Sequence, residues 1–129
     1  MKILMVDDDK TTRKLLSIYL TGKGFEVVAA ENGLDAIQKL GSEEINLILT
    51  DLNMPYMDGV EFIRTVRSDA AKGQIPILML TTEADEEERQ RAMAAGATAY
   101  LCKPVTADDV IRSIREILGS MFGRGGGPA

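Results

Sequence analysis

Carboxylates follow two apolar segments of the chain at the points where those segments end. Asp7, Asp8 and Asp9 directly follow the first apolar run, and Asp51 directly follows another. If the two runs form neighbouring parallel strands, these carboxylates meet at one edge of the sheet. Carboxylates about 5 Å apart repel each other by roughly 3 kcal/mol per pair at an effective dielectric near 20, so the cluster requires a cation or raised pKa values. A hard divalent ion such as Mg²⁺, which prefers oxygen ligands, fits it.

Asp51 is the candidate nucleophile of the chain. There is no histidine, which removes the Ser/His and Cys/His nucleophile pairs and the usual zinc sites. The single cysteine, Cys102, lies in an apolar run, where a thiol is more often inert packing. The covalent chemistry that remains is formation of an aspartyl phosphate. On the residue alone, a loop carboxylate that caps the following helix is an open alternative.

A regular alternation of strands and helices must position these residues. Apolar runs of strand length alternate five times with segments of helical periodicity. The runs lack polar alternation, which is typical of strands buried on both faces of a parallel sheet. The predicted fold class is therefore α/β, a doubly wound, flavodoxin-like five-stranded parallel sheet of (βα)5 form. The predicted strands are 2–6, 25–29, 46–50, 75–80 and 99–102.

Length and composition bound the class of protein. The 129 residues, 45% hydrophobic and 27% charged, suit one globular domain. No apolar run approaches the roughly 18 residues that span a bilayer, and the chain begins with a strand rather than a signal peptide, so we expect a cytoplasmic protein without membrane insertion. A net charge of −5 argues against direct nucleic-acid binding. The glycine-rich composition predicts a domain over 1–119 and a flexible tail over 120–129, either native, a linker or a cloning remnant.

Five short motifs follow one another in a fixed order and spacing. They are Val6-Asp7-Asp8-Asp9, Thr50-Asp51-Leu52-Asn53-Met54-Pro55 with Asp58-Gly59, Leu80-Thr81-Thr82, Gly96-Ala97 and Tyr100-Leu101-Cys102-Lys103-Pro104. Together they resemble the receiver domain of two-component response regulators, from Ile3 to about Leu118. Each motif is weak by itself, but five in register are specific. Among receivers the chain is most similar to the single-domain chemotaxis type.

The resemblance implies roles for the residues at the strand ends. Asp51 would accept a phosphoryl group from a phosphohistidine on a histidine kinase. Mg²⁺ would be bound directly by Asp8 and Asp51, by the backbone carbonyl of Asn53 and, mostly through water, by Asp7. Lys103 would neutralise part of the charge on the phosphoryl group. A surface lysine directed to solvent is the alternative for Lys103.

The resemblance also implies a switch and a partner surface. Thr81 would move to donate a hydrogen bond to a phosphoryl oxygen, and Tyr100 would turn inward into the space that Thr81 leaves. The face of the fourth helix, fifth strand and fifth helix would then bind an effector, such as a flagellar motor switch. Asn53 and Glu83 occupy positions that tune phosphoryl lifetime, and their polarity predicts a short one. The alternatives are that Thr81 caps the next helix and that Tyr100 is plain core.

Other functions remain open on the sequence. The resemblance implies a phosphoacceptor switch that promotes its own phosphorylation and dephosphorylation, and not an enzyme acting on an external metabolite. A phosphohydrolase with an aspartyl nucleophile would commonly need a second Asp where Asn53 stands. A flavin-binding module would need a phosphate loop in place of the acidic run after the first strand. The chain could also be the receiver domain of a longer regulator whose output domain has been removed.

Overall fold

A central parallel sheet carries helices on both faces. The computed structural model describes residues 1–125, without the side chains of Glu83 and of residues 121–125. Within that range the strands are β1 Lys2–Val6, β2 Glu26–Ala30, β3 Leu47–Asp51, β4 Ile77–Thr81 and β5 Ala99–Cys102. The helices are α1 Lys10–Gly22, α2 Gly33–Ser42, α3 Gly59–Ser68, α4 Glu86–Ala95 and α5 Ala107–Gly125, with a 3-10 turn over Glu83–Asp85. The strand order is β2-β1-β3-β4-β5, all parallel, so the predicted (βα)5 fold is confirmed.

Alternate strand residues build two cores, one on each face of the sheet. Leu4 and Val6 point into a core covered by α2, α3 and α4, which includes the fully buried Phe62. Ile3 and Met5 point into a second core covered by α1 and α5. Every residue of β3 and β4 is buried. Burial on both faces explains why these runs show no polar alternation, and it fixes where each strand must end.

The observed strands end later than predicted at three places. The ranges 25–29, 46–50 and 75–80 become Glu26–Ala30, Leu47–Asp51 and Ile77–Thr81. The reason is the pairing with neighbouring strands, which continues to Ala30 opposite Val6, to Asp51 opposite Leu80 and to Thr81 opposite Cys102. Asp51 is therefore the last residue of its strand rather than the first residue of a loop.

Helix α5 extends beyond the end of the domain that composition predicted. The composition predicts a domain boundary at residue 119, whereas the helix continues to Gly125. The first proline after that boundary is Pro128, and glycine lowers helix propensity by only about 1 kcal/mol per residue relative to alanine. The rest of the predicted tail, residues 126–129, lies outside the described residues. Across residues 1–125, no helix combines the length and the apolarity needed to cross a membrane.

A close backbone approach at Gly59 fixes the loop that follows Asp51. The Gly59 amide donates to the Leu52 carbonyl at 3.0 Å, and a Cβ at Gly59 would lie 2.7 Å from that oxygen. Only glycine therefore fits at the start of α3. At Gly41, an exposed helical position in α2, a Cβ would meet nothing within 4 Å.

We expect opposite effects from alanine at these two glycines. Gly59→Ala should lower the free energy of unfolding by about 1–3 kcal/mol because the new methyl group overlaps backbone. Gly41→Ala should raise it by about 0.5–1 kcal/mol, since alanine is the better helix former. Urea denaturation of both variants measures the difference. A neutral Gly59→Ala variant would contradict the close approach.

Candidate functional site

The candidate site lies where four adjacent strands end. In the order β1-β3-β4-β5, all strands are parallel, so their carboxyl ends form one edge of the sheet. Asp7 follows β1, Asp51 ends β3, Thr81 ends β4 and Lys103 follows β5. The fold therefore places the predicted acids, hydroxyl and ammonium group on the same edge.

Three carboxylates meet at this edge. Asp7, Asp8 and Asp51 each offer an oxygen, and these atoms lie within 4.8 Å of one another. Asp7 and Asp51 are buried, with 2% and 8% of their surface exposed, whereas Asp8 is open to solvent. A set of three carboxylates with one open side suits a hard cation, which takes oxygen ligands and keeps several waters. The cluster could therefore hold a divalent ion.

The environment of Asp7 opposes its ionisation. Burial raises the pKa of the Asp7 carboxyl, and the charges of Asp51 and Asp8 raise it further. The Asp9 amide, which donates to Asp7 Oδ1 at 2.8 Å, and the Lys103 ammonium act in the opposite direction. Without a cation, the cluster thus carries a charge that its surroundings disfavour.

Lys103 points into the site rather than to open solvent. Its Nζ lies 3.1 Å from Asp51 Oδ2, and its side chain is about one-third exposed. The Lys103 amide donates to the Thr81 carbonyl at 2.6 Å, which fixes the chain where β5 ends beside β4. The second oxygen of Asp51, Oδ1, accepts from the Asn53 amide at 3.3 Å. Both oxygens of Asp51 are therefore held by donors.

Thr81 carries an unpaired hydroxyl. The residue is 1% exposed, and its Oγ1 is the one buried side-chain nitrogen or oxygen without a hydrogen-bond partner in the described part of the chain. The alternative in which Thr81 caps the next helix is wrong. Thr82 is the N-cap of the turn that follows, and it forms a capping box with Asp85. A buried unpaired hydroxyl is costly and calls for an explanation such as ligand binding.

Tyr100 points outward. It is 41% exposed, and the Arg89 guanidinium lies over its ring, 4.6 Å from the centroid. The interpretation of Tyr100 as a core residue is therefore wrong. Its neighbours in β5 are small or aliphatic and only partly buried, so the edge strand leaves the ring free to lie on the surface.

Asn53 and Glu83 are placed differently with respect to the site. The Asn53 side chain reaches across to the turn before α4, where its Nδ2 donates to Asp85 Oδ2 at 2.8 Å. Glu83 begins that turn, but its side chain lies outside the described residues. Sequence reasoning missed Asp85. Its spacing from Thr82, three residues apart as in a capping box, was the available signal.

Hydrogen bonds hold the Asp85 carboxylate in place. Oδ2 accepts from the Thr82 hydroxyl at 2.6 Å and from the Thr82 amide at 3.2 Å. These bonds, with smaller contributions from Asn53 and Lys103, lower the pKa of Asp85. Asp85 thus links the loop after β3 to the beginning of α4.

The fold and its acidic edge define a single α/β signalling domain of the receiver class. Residues 3–115 match the response regulator receiver domain family, and the chain belongs to that family. It is a CheY-like receiver domain of two-component signalling, a class of domains that act as signalling switches.

Relatives of known name cover nearly the whole chain. Chemotaxis protein CheY1 of Helicobacter pylori is 38% identical over 122 residues, which are 93% of this chain and 98% of that protein. A CheY homologue of Campylobacter jejuni is 36% identical over 127 residues, 97% of this chain and 98% of that protein.

Two solved structures illustrate the similarity in fold. CheY4 of Vibrio cholerae superposes with a TM-score of 0.84 at 37% identity, over 90% of this chain and 97% of that one. The second is the receiver domain of the Pseudomonas aeruginosa sensor histidine kinase PA1611, determined with a magnesium ion coordinated in its active-site cleft. It superposes with a TM-score of 0.83 at 26% identity, over 92% of this chain and 97% of that one.

We expect Asp7→Asn to stabilise the protein when no divalent cation is present. The change removes a buried charge, while its Oδ1 can still accept from the Asp9 amide, so the free energy of unfolding at pH 7 should rise by about 1–3 kcal/mol. The pKa of Asp7 is raised in the fold, so its protonation relieves the parent chain as the pH falls. The gain should therefore shrink as the pH is lowered through that pKa.

Urea denaturation with a chelator measures this gain, and a repeat with Mg²⁺ measures how much of it the cation removes. Because Mg²⁺ neutralises the parent cluster, the difference between the two proteins should fall. A destabilised variant in chelator would contradict the electrostatic cost of Asp7.

We expect Thr81→Val to be tolerated or stabilising in the unmodified protein. The substitution keeps the shape of the side chain and removes a buried hydroxyl that has no partner, so a gain of about 1 kcal/mol is expected. Thr50→Val is the matched control, because the buried Thr50 hydroxyl donates to the Asp51 carbonyl at 3.0 Å and its loss should destabilise. Urea denaturation of both variants tests the contrast, which equal losses would contradict.

Proposed function

We propose that this chain is a phosphoacceptor switch in which Asp51 receives a phosphoryl group from a phosphohistidine of a histidine kinase. The observation that carries the proposal is the environment of the Asp51 carboxylate. It is 8% exposed, it lies among the carboxylates of Asp7 and Asp8, and the Lys103 ammonium is 3.1 Å away. A nearly buried carboxylate beside an ammonium group, within a set of carboxylates that could hold a cation, suits phosphoryl transfer better than surface solvation.

The transfer exchanges one bond to phosphorus for another. An Asp51 oxygen forms the new bond, and the bond between phosphorus and the imidazole nitrogen of the donor breaks, with its electron pair left on that nitrogen. Lys103 offsets the charge of the incoming group and orients Asp51 Oδ2. Mg²⁺ bound by Asp8, Asp51 and the Asn53 carbonyl, with Asp7 mostly acting through water, would supply further charge neutralisation when present.

The switch step uses the unpaired hydroxyl of Thr81. Phosphorylation replaces the singly charged Asp51 carboxylate by a phosphoryl group that carries up to two negative charges and three acceptor oxygens beside Thr81. Donation from Thr81 Oγ1 to one of these oxygens satisfies a group that has no partner in the unmodified chain. Movement of Thr81 leaves room for Tyr100 to turn inward, which breaks its contact with Arg89. The surface of α4, β5 and α5 then differs between the two states.

Partners follow from the same surface and from the chemotaxis relatives. The phosphoryl donor is a histidine kinase, and the effector binds the face of α4, β5 and α5. A flagellar motor switch is the effector that fits the chemotaxis names of the relatives. Asn53 and Glu83 tune the lifetime of the phosphoryl group. The receiver domain that carries these roles comprises residues 1–119. The second Asp that a phosphohydrolase of this kind commonly needs is replaced by Asn53, so the switch is the function that we favour.

Incubation with acetyl phosphate and Mg²⁺ tests the proposal directly. The intact mass of the parent chain should increase by one phosphoryl group, and hydroxylamine should remove it, as expected of an acyl phosphate. Asp51→Ala should gain nothing, because the nucleophile is gone. Addition of excess EDTA should lower the yield in the parent.

Glu44→Ala serves as a matched control, since it removes an exposed carboxylate at the opposite edge of the sheet. It should be phosphorylated like the parent. A parent chain that stays unmodified, or an Asp51→Ala variant that acquires the same labile group, would overturn the proposal.

A further inference from the structure

The side chains of Asn53 and Asp85 form a bridge between two segments of the site. Asn53 Nδ2 donates to Asp85 Oδ2 at 2.8 Å, across 32 positions of sequence. The same Asp85 oxygen accepts from the hydroxyl of Thr82 at 2.6 Å and from its amide at 3.2 Å. The Asp85 carboxylate is thus fixed by Thr82, just before α4, and it binds the side chain of Asn53 in the loop after β3.

This bridge fixes which end of the Asn53 carboxamide faces away from Asp85. An ionised carboxylate only accepts hydrogen bonds, so the NH₂ group of Asn53 must face it. Oδ1 then lies on the other side of the carboxamide, and it receives no hydrogen bond from any side chain or amide that the structure describes. The Asn53 amide meanwhile donates to Asp51 Oδ1 at 3.3 Å, so this residue is next to the phosphoacceptor. Asn53 Oδ1 is therefore an oriented acceptor without a hydrogen bond among the described residues, on a residue whose backbone amide contacts Asp51.

We propose that Asp85 is a positioning residue for hydrolysis of the aspartyl phosphate, and that it acts by orienting Asn53. This inference rests on the function proposed above. Asn53 Oδ1 accepts a hydrogen bond from the attacking water and orients it toward phosphorus. The water oxygen forms the new bond, and the bond between phosphorus and the Asp51 oxygen breaks with its electron pair left on Asp51. Both protons of the water leave with the released phosphate, so the step needs no other reactant.

Two features of the bridge make Asp85 more than a cap of α4. The capping contacts to Thr82 would be satisfied without Asn53, yet the carboxylate also takes the Asn53 amide group on the oxygen that Thr82 uses. The Asn53 carboxamide in turn makes no second hydrogen bond within the described part of the chain. Loss of Asp85 would therefore free Asn53 to rotate, which lowers the fraction of time that Oδ1 is aligned with the water.

The half-life of phosphorylated Asp51 in three variants tests the proposal. Each chain is phosphorylated with acetyl phosphate and Mg²⁺, the donor is removed, and the decay of the modified mass is followed. Asp85→Ala should lengthen the half-life by about three- to tenfold, the change expected when one hydrogen bond in the reacting arrangement is lost. Asp85→Asn keeps a side-chain oxygen that can accept from Asn53, so it should restore a half-life within about twofold of the parent. Asn53→Ala should lengthen the half-life at least as much as Asp85→Ala.

The double variant decides whether Asp85 acts through Asn53. In the Asn53→Ala background, Asp85→Ala should cause no further change, because the group that it orients is gone. An equal effect in both backgrounds, or an Asp85→Asn variant as slow as Asp85→Ala, would overturn the proposal. A purely structural role would also lower the urea midpoint and slow phosphorylation in proportion, so both are measured.

The two levels of proposal fail in different ways. If the parent chain is never modified, the phosphoacceptor function falls and the role of Asp85 falls with it. If the parent is modified and Asp85→Ala decays at the parental rate, the phosphoacceptor function stands and the positioning role alone is overturned.

Discussion

Mutual repulsion among Asp7, Asp8 and Asp51 is the constraint on which the site depends. Their oxygens lie within 4.8 Å of one another, and two of the three carboxylates are buried. Such an arrangement stores unfavourable energy that a cation or an ammonium group can release. Lys103 supplies one positive charge at 3.1 Å from Asp51, against three carboxylates. The edge of the sheet therefore keeps an excess of negative charge, an arrangement that could hold a divalent ion.

Much of this arrangement could be predicted from the sequence because parallel strands impose it. Once the apolar runs are recognised as buried strands, the residues that follow them must share one edge. Asp7, Asp51, Thr81 and Lys103 could therefore be grouped without coordinates. The exact ends of the strands could not be predicted in this way, since the pairing of Asp51 with Leu80 is a property of the sheet and not of either segment.

Three features could not be predicted, and each depends on a distance between segments. The contact between the Tyr100 ring and the Arg89 guanidinium depends on how α4 lies beside β5. The missing partner of Thr81 Oγ1 becomes visible only when all surrounding groups are placed. The bridge from Asn53 to Asp85 joins two loops whose separation no local pattern encodes. The spacing of Thr82 and Asp85 is a local capping signal, but it could not show that the Asp85 carboxylate also reaches the loop after β3.

The strand order has a consequence for how the protein matures. β1 pairs with β3, and β3 with β4, although other elements separate them in sequence. The groups of the site come from four strands, so the contacts of Asp51 with Asp7, Asp8 and Lys103 form only when these distant segments have joined. A chain whose sheet is incomplete therefore has the carboxylates and the ammonium group in its sequence, but not side by side. The surroundings of Asp51 are a product of the whole sheet and of none of its strands alone.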